Sequence, residues 1–278
     1  MRKLFILIFI AMIFSVSGCG DQYPAEKLYW KANKYSESIF KNPKGTPQTQ
    51  YNKAVRLFEK IKKKYPNLVQ AKHAQFRVAE LYMAKEDYPQ AIKEFTEVLK
   101  KYPDDRMLAS SAQFSIGNAY EKSDQWDKAL KEYRKLFEDY HLTQTGLDAP
   151  IYIASYYDKN NKTAKAQEAY RQAVRDYKKV VSENPESQAA YIAHNHISSC
   201  YMALKEWDNA IAAFGDVMEK YPGSPRAPQA MVATATIYDT ELENEKKAVE
   251  LYKKFIEHYP KHGMVYVVKG RLEELEKK

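Results

Sequence analysis

One pattern of residues is written six times along this chain, and it limits the fold more than any other feature. In its clearest copy, Tyr88 to Pro103, an aromatic stands three residues before Ala91 and Phe95 follows one helical turn after it. Val98 comes next, and the run stops at Tyr102-Pro103. The small residue recurs as Ala54, Ala91, Ala129, Ala173, Ala210 and Ala248, at intervals of 37, 38, 44, 37 and 38 residues. Four residues on stand Phe58, Phe95, Tyr133, Tyr177, Phe214 and Tyr252. The stop recurs as Pro66, Pro103, Pro185, Pro222 and Pro260, with His141 in the copy that lacks proline. Self-similarity at such a period marks a repeat array, in which each unit buries its apolar face only by stacking on its neighbours.

The spacing has a direct physical meaning. Residues at i, i+4 and i+7 share one face of a helix, and here that face reads small, aromatic, aliphatic. The small residue admits a neighbouring helix, the aromatic fills the space beside it, and proline ends the helix. Lys62-Lys63-Lys64 and Lys100-Lys101 crowd the last turns, where cations suit the helix dipole. Asp87 with Gln90 three residues on is a capping-box arrangement. A first helix precedes each of these second helices: Ala71 to Tyr82, Ala109 to Tyr120 and Ala189 to Tyr201 share an apolar–small pair at Val78-Ala79, Ile116-Gly117 and Ile197-Ser198, with tyrosine three residues later.

These helix pairs resemble the tetratricopeptide repeat. The resemblance implies an all-α, right-handed superhelix of about six helix-pair repeats with a C-terminal capping helix. The repeats fall near 24–65, 67–102, 104–140, 145–184, 186–221 and 223–259, with the cap at 263–278 and Met264, Val268, Leu272 and Leu275 on its apolar side. The six alanines and the aromatics that follow them are expected to be buried. Repeat four departs from the rest: Tyr156 to Pro185 is 29 residues, against 21 from Tyr82 to Pro103. The excess is about two helical turns, so a protruding second helix is expected from about Thr163 to Ser182.

Residues 1–18 read as a signal peptide. Arg2-Lys3 is followed by eleven apolar residues, Leu4 to Phe14, too few to span a bilayer, and then by the small-residue stretch Ser15 to Gly18. Val16-Ser-Gly-Cys19 resembles the bacterial lipoprotein signal, which implies that Cys19 carries a diacylglyceryl group and becomes the mature N-terminus. The alternative is an ordinary secretory signal followed by an unmodified cysteine. Acyl chains such as palmitate anchor at about 0.8 kcal/mol per buried CH2. Residues 19–23 form a short acylated tether, which holds the first repeat near the lipid surface.

Other chemistry is not legible. With Cys19 acylated, Cys200 is the remaining thiol, expected as a small buried residue. His194 and His196 are two apart on a helix and point in different directions; Pro260 interrupts the helix between His258 and His262. No HExxH, CxxC, phosphate loop or nucleophile elbow is present, so neither an enzyme nor a metal site is expected, and no cofactor beyond the lipid on Cys19. Asn161-Lys-Thr163 matches a glycosylation acceptor but carries little meaning behind a bacterial signal. Loss of Arg2 and Lys3 with the signal leaves 42 basic against 36 acidic side chains, a net +6. That suits an anionic membrane face or an acidic partner, though the Lys/Glu alternation is ordinary helix surface. The aromatics among the lysines stand at repeat-core positions, so nucleic-acid binding is not expected.

What remains is a protein-binding surface. First helices line the concave side of such stacks. Repeat alignment places His73, Phe76, Glu80 and Met83 there in repeat two, Phe114, Asn118 and Glu121 in repeat three, and Asn195 and Met202 in repeat five. Phe76 and Phe114 hold the same position in successive repeats. They form either an apolar strip for a partner segment, oriented by Glu80, Asn118 and Glu121, or part of the inter-repeat core. The carboxylate-clamp pattern of chaperone-binding tetratricopeptide domains is not recognisable, since Phe stands where Lys would be expected.

A lipobox followed at once by tandem repeats ending in Tyr-Pro resembles the BamD family of outer-membrane lipoproteins. The resemblance implies a periplasm-facing outer-membrane scaffold that docks the barrel-assembly machinery and client barrel segments, with N-terminal repeats linked to clients and C-terminal ones to machine partners. The six units and lengthened fourth depart from the five of that family. Alternatives are another cell-envelope coordinator, a pilus- or secretion-associated lipoprotein, or a periplasmic enzyme or small-ligand binder. A pocket with converging titratable groups would favour the last.

Overall fold

The computed structural model describes the backbone of residues 2–277 and the side chains from Gly20 to Lys277. The signal peptide and the acylation of Cys19 concern side chains outside the described residues. The described chain is all α-helical, with no strand. It divides into two compact units, 1–135 and 136–278, at a point within one helix. The first unit holds α1 (Arg2–Lys41), α2 (Gln48–Lys64), α3 (Val69–Ala84), α4 (Tyr88–Lys101), α5 (Arg106–Lys122) and most of α6 (Trp126–Tyr140). The second holds α7 (Gln144–Lys159), α8 (Thr163–Glu183), α9 (Gln188–Leu204), α10 (Trp207–Lys220), α11 (Arg226–Thr236), α12 (Glu245–His258) and α13 (Val265–Leu275). Gly20 to Tyr23 lie within α1, and no helix among the described residues is long and apolar enough to cross a membrane.

The repeated pattern is the core. All six alanines, Ala54 through Ala248, are at most 1 % exposed, and Phe58, Phe95, Tyr133, Tyr177 and Tyr252 are buried beside them. Phe214 is the exception and is only half-buried. The buried stripe of α10 runs Ala210, Ala213, Val217, a side step from the Ala91, Phe95, Val98 of α4, and leaves the Phe214 ring at its edge. Gly117 in α5 serves close approach: a Cβ there would stand 2.5 Å from the Tyr133 ring.

Helix ends repeat as closely as helix faces. Tyr65, Tyr102, Asn184, Tyr221 and Tyr259, each before a proline, take φ between −127° and −139° and leave the helix. Where His141 replaces proline, α6 includes Tyr140, the counterpart of Tyr102. Two residues after the stop, Asp105, Thr143 and Ser187 cap the next first helix by accepting from the amides of Leu108, Gly146 and Ala190. Asp87 accepts from the Gln90 amide, one half of the capping box, while its own amide donates to the Tyr82 carbonyl.

The turn within the pair has a fixed form in repeats two to six. Glu86, Asp124, Asn161, Lys205 and Glu243 all lie in the left-handed region, with φ from 49° to 62°. The amide of the next residue donates back to the carbonyl of Tyr82, Tyr120, Tyr157, Tyr201 or Tyr238. In the first four this is the six-to-one closure of a Schellman motif, made without glycine; in the last, Asn244 to Tyr238, the ring is one residue longer. From that tyrosine to the small residue is nine residues in repeats two, three and five and ten in repeat six. The additional residue is absorbed by a π-helical turn, Ile237–Glu241. It carries Asp239, which accepts from Nε and Nη2 of Arg271 in the cap at 2.7 and 2.8 Å.

Repeat four has the lengthened second helix that its spacing predicts, α8 from Thr163 to Glu183. Helix α8 has 21 residues against 14 in α4, an insertion of one heptad. The small–aromatic pair is therefore written twice on one helix, as Ala166-Tyr170 and Ala173-Tyr177, and all four are buried. The inserted turns bury their inner face, because a heptad keeps the apolar stripe in phase. Cap helix α13 buries Val268, Leu272 and Leu275, while Tyr266 and Val267 are exposed. Cys200 is fully buried, and burial pushes its thiol up to about 12, so it is unreactive at neutral pH.

Candidate partner-binding face

Phe76, Glu80, Met83, Phe114, Asn118 and Glu121 lie on α3 and α5, the first helices of repeats two and three, both in the first unit. All six are half-buried. Phe76 meets the Phe95 ring edge-on with centroids 5.1 Å apart. Phe114 lies 5.5 Å from Tyr133, tilted at 39°. Each ring therefore rests on the core aromatic of its own repeat and keeps part of its surface outside. Neither ring is fully buried and neither is fully open. Met83 packs with Phe76 against the cluster formed by Ala91, Phe95 and Val98.

The polar residues are more engaged than their sequence positions suggest. Glu80 accepts from Arg77 Nη1 at 2.9 Å, and burial raises its carboxyl above the usual range, with Arg77 opposing. Arg77 in turn lies 5.5 Å over the Phe40 ring of α1. Glu121 accepts from the Tyr133 hydroxyl at 2.8 Å, which fixes the ring that supports Phe114. His73 keeps much of its surface exposed, and the part of its ring that is covered, with Lys72 beside it, lowers its pKa.

Three contributors escaped sequence reasoning. Arg77 joins α1 to this face and has no counterpart at the repeat interval, since Ser115 stands there. Gln75 and Gln113 do recur at the repeat interval and are each 1 % exposed. Their Nε2 atoms donate to Glu94 Oε2 at 2.6 Å and Glu132 Oε2 at 2.5 Å, tying first helix to second directly beneath the aromatic strip. Their 38-residue spacing was the available signal.

The histidines point apart, as their spacing requires. His194 is buried and faces Lys220 and Tyr221, whereas His196 meets Asp148 Oδ1 at 3.0 Å and the Tyr177 ring. Among the described residues no group of three His, Cys, Asp or Glu side chains could hold a metal ion.

Paired helices with a small–aromatic seam, a fixed turn and a proline stop define a helix-pair repeat protein of the kind that binds other proteins. The chain belongs to the tetratricopeptide-repeat family, whose profile matches residues 48–106, 76–140 and 153–225; a second tetratricopeptide profile matches 229–262. No protein of curated function matches it by sequence. Among solved structures it is similar to the BtubC protein of P. vanneervenii, at 14 % identity over 74 % of this chain and 87 % of that one, with a TM-score of 0.46. A tetratricopeptide repeat protein of Parabacteroides merdae is 14 % identical over 90 % and 88 %, with a TM-score of 0.44. A thermophilic tetratricopeptide protein of Thermus thermophilus is 19 % identical over 75 % and 100 %, with a TM-score of 0.42.

Proposed function

We propose that this chain is a lipid-anchored scaffold on the periplasmic face of the bacterial outer membrane, and that it holds extended segments of client β-barrel proteins for the barrel-assembly machinery. The observation that carries the binding part is the pair Phe76 and Phe114. Each is held by a core aromatic and each keeps apolar surface open on the same face of successive repeats. A client segment ending in an aromatic residue suits such a strip. Aromatic burial supplies the affinity there, and Glu80 with Arg77 supplies fixed polar contacts at its edge.

Phe76→Ala combined with Phe114→Ala is expected to weaken binding of a peptide with a terminal aromatic by at least tenfold, or about 1.4 kcal/mol. Fluorescence titration of wild type and double mutant measures this, with circular dichroism to establish that both are helical. Equal affinities in two folded proteins would place the site elsewhere.

The anchor rests on Val16 to Cys19. Support comes from α1, where Tyr23 and Trp30 are 70 % and 64 % exposed and stand seven residues apart on one side. Tyrosine and tryptophan favour the membrane–water boundary, so this side suits a helix held close to lipid. Mass spectrometry of the mature protein should find Cys19 as the first residue, carrying acyl chains, and Cys19→Ala should abolish the modification. An unmodified Cys19 in the mature wild type would remove the anchor from the account.

A further inference from the structure

The repeats are not equivalent at the place where first and second helix are tied together. In repeat two, Gln75 donates to Glu94, and Lys62 Nζ lies 3.4 Å from the same carboxylate. In repeat three, Gln113 donates to Glu132. In repeat five, the glutamine position holds His194 and the glutamate position, one residue before Phe214, holds Ala213. The carboxylate that fills this spot in repeats two and three is missing.

A cavity of about 300 Å³ takes its place, between α8, α9 and α10. Its apolar wall is Val181, Ile197 and Ala213. His194, 5 % exposed, forms another part of the wall. Lys178 and Lys220 stand at the cavity with Asp216, which leaves one positive charge in excess. Among the described residues neither lysine is paired with a carboxylate. Lys178 Nζ donates to the Tyr201 hydroxyl at 3.0 Å, and Lys220 Nζ lies 3.4 Å from His194 Nε2. Burial and the neighbouring Lys220 lower the pKa of His194, so it is neutral at pH 7 and accepts from that lysine. The Tyr201 hydroxyl, which accepts from Lys178, has its own proton left to donate.

We propose that this cavity binds a small organic carboxylate with a compact apolar body. The carboxylate takes the place that Glu94 and Glu132 occupy in the earlier repeats. Lys178, Lys220 and the Tyr201 hydroxyl hold its oxygens, and the body lies on Val181, Ile197 and Ala213. One monoanion neutralises the excess charge, and the volume is at the lower end of the range for small-molecule sites. The site lies in the second unit and does not depend on the partner-binding reading of the first.

N-acetyl-leucine and its uncharged isostere N-acetyl-leucinamide test the charge requirement by calorimetry on the mature chain. A third probe, a pentapeptide amide with a central glutamate flanked by leucines, distinguishes a partner's side chain from a free acid as the source. The acid or the peptide should bind at least tenfold more tightly than the amide, and whichever is tighter identifies the source. Ala213→Glu restores the carboxylate that repeats two and three carry and should abolish binding while the helical circular dichroism persists. Lys178→Gln with Lys220→Gln should weaken binding at least tenfold. The proposal is overturned if neither charged probe binds at millimolar concentration, if acid and amide bind alike, or if Ala213→Glu binds as the wild type does.

Discussion

Phe95→Ala is expected to destabilise the first unit by about 3–5 kcal/mol, the range for removing a fully buried phenylalanine. The side chain is 1 % exposed and packs with Ala79, Ala91, Val98, Ala112 and Ile116, which come from three helices. Alanine would leave a cavity in the seam between repeats two and three, where neighbouring repeats depend on each other for burial. The loss should also reach the binding face, because Phe76 rests on the Phe95 ring. Urea unfolding followed by circular dichroism gives the stability difference. A double-mutant cycle with Phe76→Ala should show the two changes to be non-additive. A cost below 1 kcal/mol would mean that the seam is not built as described. Phe214→Ala, at the same repeat position but half-buried, should cost clearly less.

Tyr177→Ala is expected to cost a similar amount, about 3–5 kcal/mol, for the ring alone. Tyr177 is fully buried, and its hydroxyl is inserted into a helix. It donates to the Leu147 carbonyl at 2.7 Å and accepts from the Ile151 amide at 3.2 Å, one turn further along α7 and just after Pro150. Tyr177→Phe separates the two effects. It keeps the ring and removes the bridge, leaving buried backbone groups to re-pair, for about 1–3 kcal/mol. Thermal melts of the two variants measure the difference. A Tyr177→Phe protein as stable as wild type would show that Leu147 and Ile151 satisfy each other without the hydroxyl.

The repeat seam was legible, Phe214 apart, because it is written in side-chain size at helical spacing. Ala91, Phe95 and Val98 share a face in any α-helix, and six copies remove the ambiguity of one. The helix stops were legible because proline forces the residue before it out of the helix. The turns were not, because their left-handed residue is Glu86, Asp124, Asn161, Lys205 or Glu243 and never glycine. The π turn of repeat six was readable only by counting ten residues from Tyr238 to Ala248 where nine is the rule. The insertion in repeat four was seen as excess length, but its burial followed from a heptad phase that length alone does not reveal. On the proposed binding face, the place of each side chain along its helix was legible and its contacts were not. Spacing placed Phe76 and Phe114 on one face, whereas the hold of Tyr133 on Glu121 and of Arg77 on Glu80 depends on which rotamers reach. The polar ties Gln75–Glu94 and Gln113–Glu132 cross between helices nineteen residues apart, a distance that periodicity within one helix does not sample.

The central claim, that the first-helix face of the first unit holds client segments, is tested most directly by site-specific photocrosslinking in living cells. A photoreactive phenylalanine analogue replaces Phe76 or Phe114, and the same analogue at exposed Lys93 on α4 serves as the control. The account predicts crosslinks from positions 76 and 114 to unfolded outer-membrane β-barrel proteins, and none of these from 93. Adducts that form equally from 93, or no barrel-protein adducts from 76 and 114 with the protein intact and membrane-bound, would contradict it.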